Sequence, residues 1–210
     1  MITHGTRPGR RAGPVPRTRR IADPLAENNV VATFCVIGTY VTENPSLIRR
    51  MISDGHDVAN HTMTHPDLSQ CDPCQIQWEF AETSRRIATA APGAHVGRLR
   101  PPYGIWTEAA QRISREYGLQ PLGWTVDPRD WSRPGIESIM RTVRDQLWPG
   151  GIILLHDGCP PAEMPETGVI GIRDQTVTAL RFLIPELRSQ GFAFDLPFPP
   201  TTPGSTPDPT

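Results

Sequence analysis

Short runs of apolar and β-branched residues alternate along this chain with longer stretches whose apolar positions recur every three or four residues. Residues 30–38 (VVATFCVIG) are apolar almost throughout and end at a glycine, the pattern of a buried strand. Over 45–54, Leu47, Ile48, Met51 and Ile52 fall at helical spacing, and Gly55 supplies the stop. Residues 56–60 predict the next strand, and 72–91 a helix with Ile76, Phe80, Ile87 and Ala88 on one side and Trp78 off that face. There follow a short extended piece at 99–102, a helix over 107–117 ending at Gly118, and a strand over 122–126. A helix over 135–147 carries Ile136, Ile139, Met140 and Val143 in register, and 151–155 (GIILL) reads as a buried strand. The last helix is expected over 176–189, kinked or split by Pro185, with 192–194 as a candidate terminal strand. Strands alternating with helices predict an α/β fold with a parallel sheet. In such folds the residues just after strand C-termini form the site. His61 and His65, Asp127 and Asp130, and His156 and Asp157 all follow predicted strands.

The two ends break this pattern. Residues 1–20 show no apolar periodicity, and 13 of the 20 are Arg, Pro, Gly or Ala. They read as a non-globular basic arm, with three explanations open: contact with an acidic polymer, a disordered tail, or translation from a wrong start or shifted frame. Residues 21–29 look like the end of a helix, and 197–210 form a Pro/Thr-rich tail expected to be disordered. Between them, 21–196 has the length of one domain with a real core.

Composition narrows the partners. All 21 basic residues are arginine, and the formal net charge is -1, which gives no general case for nucleic acid binding. Six of those arginines lie in the first twenty residues, which contain no acid, so the body of the chain is acidic. The four cysteines are too few for a disulfide scaffold, and the CxxC of Cys71 and Cys74 has no second pair, so ordinary thiols are expected. No apolar run approaches transmembrane length, and no secretory signal opens the chain. The expected location is the cytoplasm.

The chemistry-bearing stretch is GHDVANHTMTH, residues 55–65. Its two histidines, four apart, would lie on one side of a helical turn, and imidazole is a common metal ligand. Taken by itself this spacing is weak. Three further blocks follow: RPPYG at 100–104, DPRDW at 127–131 and LLHDG at 154–158. In this order the four blocks resemble the polysaccharide deacetylases, the carbohydrate esterases that share the NodB homology domain, from about Ile21 to Phe198. The stretches 127–135, 156–161 and 173–180 resemble the nodulation-type chitooligosaccharide deacetylases in particular.

That resemblance implies a distorted, incomplete (β/α) barrel and a metal-dependent hydrolase removing N-acetyl groups from N-acetylglucosamine oligosaccharides. A role in lipo-chitooligosaccharide signal synthesis is implied with it. His61 and His65 would be two of three ligands to a divalent metal, zinc before cobalt or manganese. Arg100 would orient the catalytic base, and the backbone N–H of Tyr103 would help form an oxyanion hole. Asp130 would pair with His156, the general acid, while Trp131 and Leu154 would wall the pocket. Trp106 and Trp124 could face a sugar or pack in the core, and Thr62 and Thr64 would brace the loop. One family block has no match: the first strand and its Thr-Phe-Asp-Asp-Gly-type end, which supplies the third ligand and the base. Asp23, in helical context, is no substitute. The first strand is therefore expected to be missing or atypical. Two rival functions stay open: a carbohydrate-binding pseudoenzyme, and another metal-dependent C–N hydrolase on the same scaffold.

Overall fold

The computed structural model describes residues 2–4, 17–160 and 173–197. Six strands form one parallel sheet: β1 (Ile2–His4), β2 (Thr33–Val36), β3 (Asp57–Asn60), β4 (Arg98–Leu99), β5 (Gln120–Pro121) and β6 (Leu155–His156). Their spatial order is β5-β4-β3-β2-β1-β6. Beyond β5 the chain bends, and Val126 bridges in parallel to Ile153, just before β6. Thr125 and Val126 donate to the carbonyl of Ile152, and Leu154 donates back to Val126. The chain beyond one edge thus reaches the other, as in the distorted, incomplete barrel that was expected.

Among the described residues there are seven α-helices: α1 (Arg17–Glu27), α2 (Gly38–Glu43), α3 (Pro45–Ser53), α4 (Pro73–Ala90), α5 (Glu108–Glu116), α6 (Ile136–Gln146) and α7 (Asp174–Ser189). None is long and apolar enough to cross a membrane. Asp72 caps α4 through a reciprocal capping box with Gln75, and Thr107 caps α5 through the amide of Ala110. Strand alternation sorts the side chains. Phe34, Val36 and Val58 point outward into a core completed by Ile21, Ile48, Met51, Leu180 and Ile184. The intervening positions point inward, where Cys35, Ala59 and Leu122 cluster. Thr33 and Asp57 stand in register on that same inner face, and Asp57 pairs there with the buried Arg98. The barrel interior is thus partly ionic, and the apolar load falls on the helix-facing side.

Several expectations are corrected. Residues 2–4, assigned to a non-globular arm, form β1 between β2 and β6, pairing Ile2 with Phe34 and with Leu155. A first strand is therefore present, and three residues are too few to register as periodicity. Arg17–Arg20, also assigned to the arm, open α1. The rest of the arm and 198–210 lie outside the described residues. The strand expected over 122–126 is displaced: β5 pairs two residues earlier, through exposed Gln120 and Pro121, which carry no apolar signal. Residues 192–194 form no strand, because Phe192 and Phe194 pack sideways against the outer core. Helix α7 runs through Pro185 as one element. Helix α2 was not foreseen.

Candidate active site

The loops after β2, β3, β4, β5 and β6 converge on one cleft of about 530 Å³. His61, His65, Arg100, Tyr103, Trp131, Leu154 and His156 all line it, together with Trp124, Asp127, Arg129 and Arg173. Asp130 stands directly behind His156.

Histidines 61 and 65 are set by the chain around them. Asn60 at the end of β3 donates to Phe80 O and Ser84 Oγ on α4, and its carbonyl side-chain oxygen accepts from Thr62 N. The segment is a loop rather than the expected helical turn, since Thr62 and His65 both have positive φ (64° and 66°). Thr62 Oγ1 accepts from His65 N at 3.1 Å. Glu79, buried on α4, accepts from Met63 N, Thr64 N and Thr64 Oγ1 at 2.5, 2.9 and 2.5 Å. The two imidazoles meet edge to face, with centroids 4.8 Å apart, and Tyr103 meets His65 in the same way at 5.0 Å. Burial first, and then the charge of Arg100, push His61 well below the usual imidazole range. The same two causes, in the same order, bring His65 to about 4. Both rings are therefore neutral lone-pair donors at neutral pH.

His61 Nδ1 lies 2.6 Å from the carbonyl oxygen of Arg100, which can only accept, so Nδ1 carries the proton. Nε2 then holds the lone pair, and Arg100 Nη2 lies 3.1 Å from it. The guanidinium is itself buried and sits 5.7 Å from the Trp124 ring centroid. Trp124 in turn lies against Gly104, where an added Cβ would come within 2.6 Å of the indole. Gly104 follows Tyr103, whose φ of 58° makes the Pro-Pro-Tyr-Gly turn.

On the opposite wall, His156 Nδ1 donates to Asp130 Oδ1 at 2.7 Å. Asp130 Oδ2 accepts from His156 N at 3.0 Å and from Thr176 Oγ1 at 2.7 Å. Burial alone would raise the Asp130 carboxyl. The hydrogen bonds and charge of His156, with Thr176, outweigh it and hold the carboxyl below its ordinary value. His156 thus keeps Nδ1 on Asp130 and leaves Nε2 for the cleft. Arg129 and Arg133 adopt left-handed backbone on either side of Asp130, and Arg129 stacks over half-exposed Trp131.

These residues fit a metal ion only in part. Two neutral imidazoles suit one, but no group of three His, Cys, Asp or Glu side chains stands close enough to hold an ion among the described residues. Arg100 already takes the His61 lone pair. Asp23 lies on the outside of α1, 3.7 Å from Arg50. Cys71 and Cys74 are free thiols at the start of α4, away from the cleft lining. Among the described residues the arrangement does not complete a metal site. Trp106 packs in the core beside α4 and α5, whereas Trp124 lines the cleft.

Glu79 and Thr176 were missed by sequence reasoning. Glu79 lies between Ile76, Phe80 and Thr83 on the buried face of α4, and an acid in that stripe is a detectable signal. Arg173 was not singled out either. It is buried, and one of its Nη groups donates to the carbonyl of Gly158.

A family model for polysaccharide deacetylases matches residues 12–122. A chitooligosaccharide deacetylase of Sinorhizobium fredii is 52% identical over 175 residues, 83% of this chain and 81% of that protein. A family 4 carbohydrate esterase from Streptomyces lividans, solved in complex with acetate, superposes with a TM-score of 0.76 at 31% identity, covering 93% of this chain and 94% of that one. A family 4 pseudoenzyme from Bacillus anthracis superposes with a TM-score of 0.74 at 27% identity, covering 86% of this chain and 58% of that one.

Proposed function

Because the chain belongs to the polysaccharide deacetylase family, we propose that its cleft binds an N-acetylglucosamine oligosaccharide and hydrolyses its N-acetyl group. The observation that carries this reading is the His156–Asp130 pair, buttressed by Thr176 and facing the cleft. In the reaction, water adds to the amide carbon, the C–N bond breaks, and acetate and an amine leave. His156 Nε2 takes the proton that the attacking water gives up and delivers it to the departing nitrogen, while Asp130 fixes the tautomer and stabilises the imidazolium between the two transfers. The Tyr103 turn supplies a backbone donor to the developing oxyanion. Leu154 receives the acetyl methyl, and the exposed face of Trp131 lies along the sugar. The identity with a chitooligosaccharide deacetylase favours a short chitin oligomer over a polymer. Use of the product in lipo-chitooligosaccharide signals, in the cytoplasm, is part of the same reading.

A second reading has its own observation. The strand that would carry the water-activating carboxylates is in place as β1, yet the first twenty residues contain no Asp or Glu. On that reading the chain binds the oligosaccharide and leaves it intact. Acetate release from chitotetraose, measured beside calorimetric binding of the same sugar, separates the two. Release that falls about 10²-fold or more in His156→Ala supports hydrolysis by this site. Binding with acetate at background in the wild type establishes the pseudoenzyme instead.

A further inference from the structure

We propose that in this chain the guanidinium of Arg100 is the resident cation of the cleft, standing where a metal would have to bind and excluding it. The proposal rests on the family reading for the identity of the site, but not on turnover.

Arg100 grips both nitrogens of one imidazole. Its carbonyl oxygen takes the Nδ1 proton of His61 at 2.6 Å, and its Nη2 donates to Nε2 at 3.1 Å. The first contact fixes the tautomer that puts a lone pair on Nε2, and the second consumes that lone pair. A zinc ion needs the same lone pair at about 2.1 Å, so it would lie no more than roughly 5 Å from a buried guanidinium. Two cations at that distance, one of them buried, repel.

Arg100 is buried, with Trp124 against one side. Burial lowers its pKa from the ordinary value, and Cys35 and Asp127 offset this only in part. Asp127, on the cleft wall, contributes the opposing charge. A metal would require carboxylates to draw Arg100 off His61. Among the described residues no group of three His, Cys, Asp or Glu side chains that includes His61 and His65 could hold an ion. A cation remains at the centre of the cleft, but it belongs to the protein.

The test is metal binding by the full 210-residue chain. Zinc is titrated into wild type and Arg100→Met, a substitution of similar length without charge, and binding is followed by calorimetry. In parallel, the imidazole ¹⁵N resonances of the wild type are recorded, a signal blind to zinc taken by Cys71 and Cys74. The expected result is that one equivalent of zinc leaves the His61 resonances of the wild type in place, and that Arg100→Met binds zinc at least about tenfold more tightly. Movement of the His61 signals in wild type at stoichiometric zinc overturns the proposal, as does Arg100→Met binding no tighter than wild type. Should Arg100→Met fail to fold, the wild-type resonances decide the matter unaided. Acetate release plays no part in these outcomes, so the deacetylase reading stands or falls separately.

Discussion

Asp130 makes the case for a residue whose charge and position are inseparable. It is buried, and its two oxygens accept three hydrogen bonds, two from His156 and one from Thr176. Replacement by Asn would put an N–H₂ group against donors and release the imidazole from its tautomer. Asp130→Asn should therefore lower acetate release by about 10²- to 10⁴-fold. The stability effect has a sign set by pH. The folded carboxyl lies below its ordinary value, so its contribution is present above the unfolded value near 4 and is lost as pH falls through the folded one. Urea unfolding of wild type and Asp130→Asn should show a constant gap from pH 5 to 8 that narrows below about pH 4. A gap that widens on acidification would remove Asp130 from this role. His156, Asp130, His61 and Arg100 were legible in the sequence because each sits in a short block whose residue types match a chemistry. Glu79 and Arg173 were not, because each acts on backbone groups that only the folded chain brings near.

At the scale of elements, α4 is the part that holds the histidine loop in shape. Glu79 accepts two main-chain amides and a hydroxyl from Met63 and Thr64, and Asn60 is tied to α4 at the neighbouring Phe80. Glu79→Gln keeps the shape but loses the charge-assisted bonds. It should cost about 1.5–3 kcal/mol in urea unfolding and speed amide exchange at Met63 and Thr64 selectively. Unchanged exchange at those two amides would show that the loop stands without α4. Gly104 plays the matching part on the opposite loop. A Cβ there meets the rigid indole of Trp124 at 2.6 Å and also faces a φ of +72°. Gly104→Ala should destabilise the protein by about 1–3 kcal/mol and disturb the seat of Arg100, read as a shift in Trp fluorescence. Elements of this kind divide sharply in legibility. Helices α3 to α7 announce themselves by apolar spacing and stops. The strands β4, β5 and β6, two residues each, pair through backbone groups, and an exposed Gln–Pro pair can do that as well as an apolar one.

For the molecule as a whole, the decisive element is the one hardest to read. Three residues, Ile2–His4, occupy the position between β2 and β6, and through them the sheet runs unbroken from β5 to β6. Without them two strands would face each other across a gap, with their backbone donors and acceptors unpaired. The outer core would also open, since Phe34 and Leu155, register partners of Ile2 on either side, belong to the same apolar cluster. The parallel α/β plan was legible because β2, β3 and the helices between them carry strong patterns, and a parallel sheet closes only in certain orders. What no pattern showed is that the plan includes a first strand at Ile2–His4. A chain beginning at Arg17 should therefore lose more than a tail. The loss should approach the whole stability of a small domain, about 5 kcal/mol or more, and urea unfolding followed by circular dichroism should no longer be cooperative. If that shortened chain unfolds as cooperatively as the full one, at the same midpoint, then β1 contributes nothing and β2 and β6 must find another partner. If it collapses, β1 is what holds β2 and β6 in one sheet.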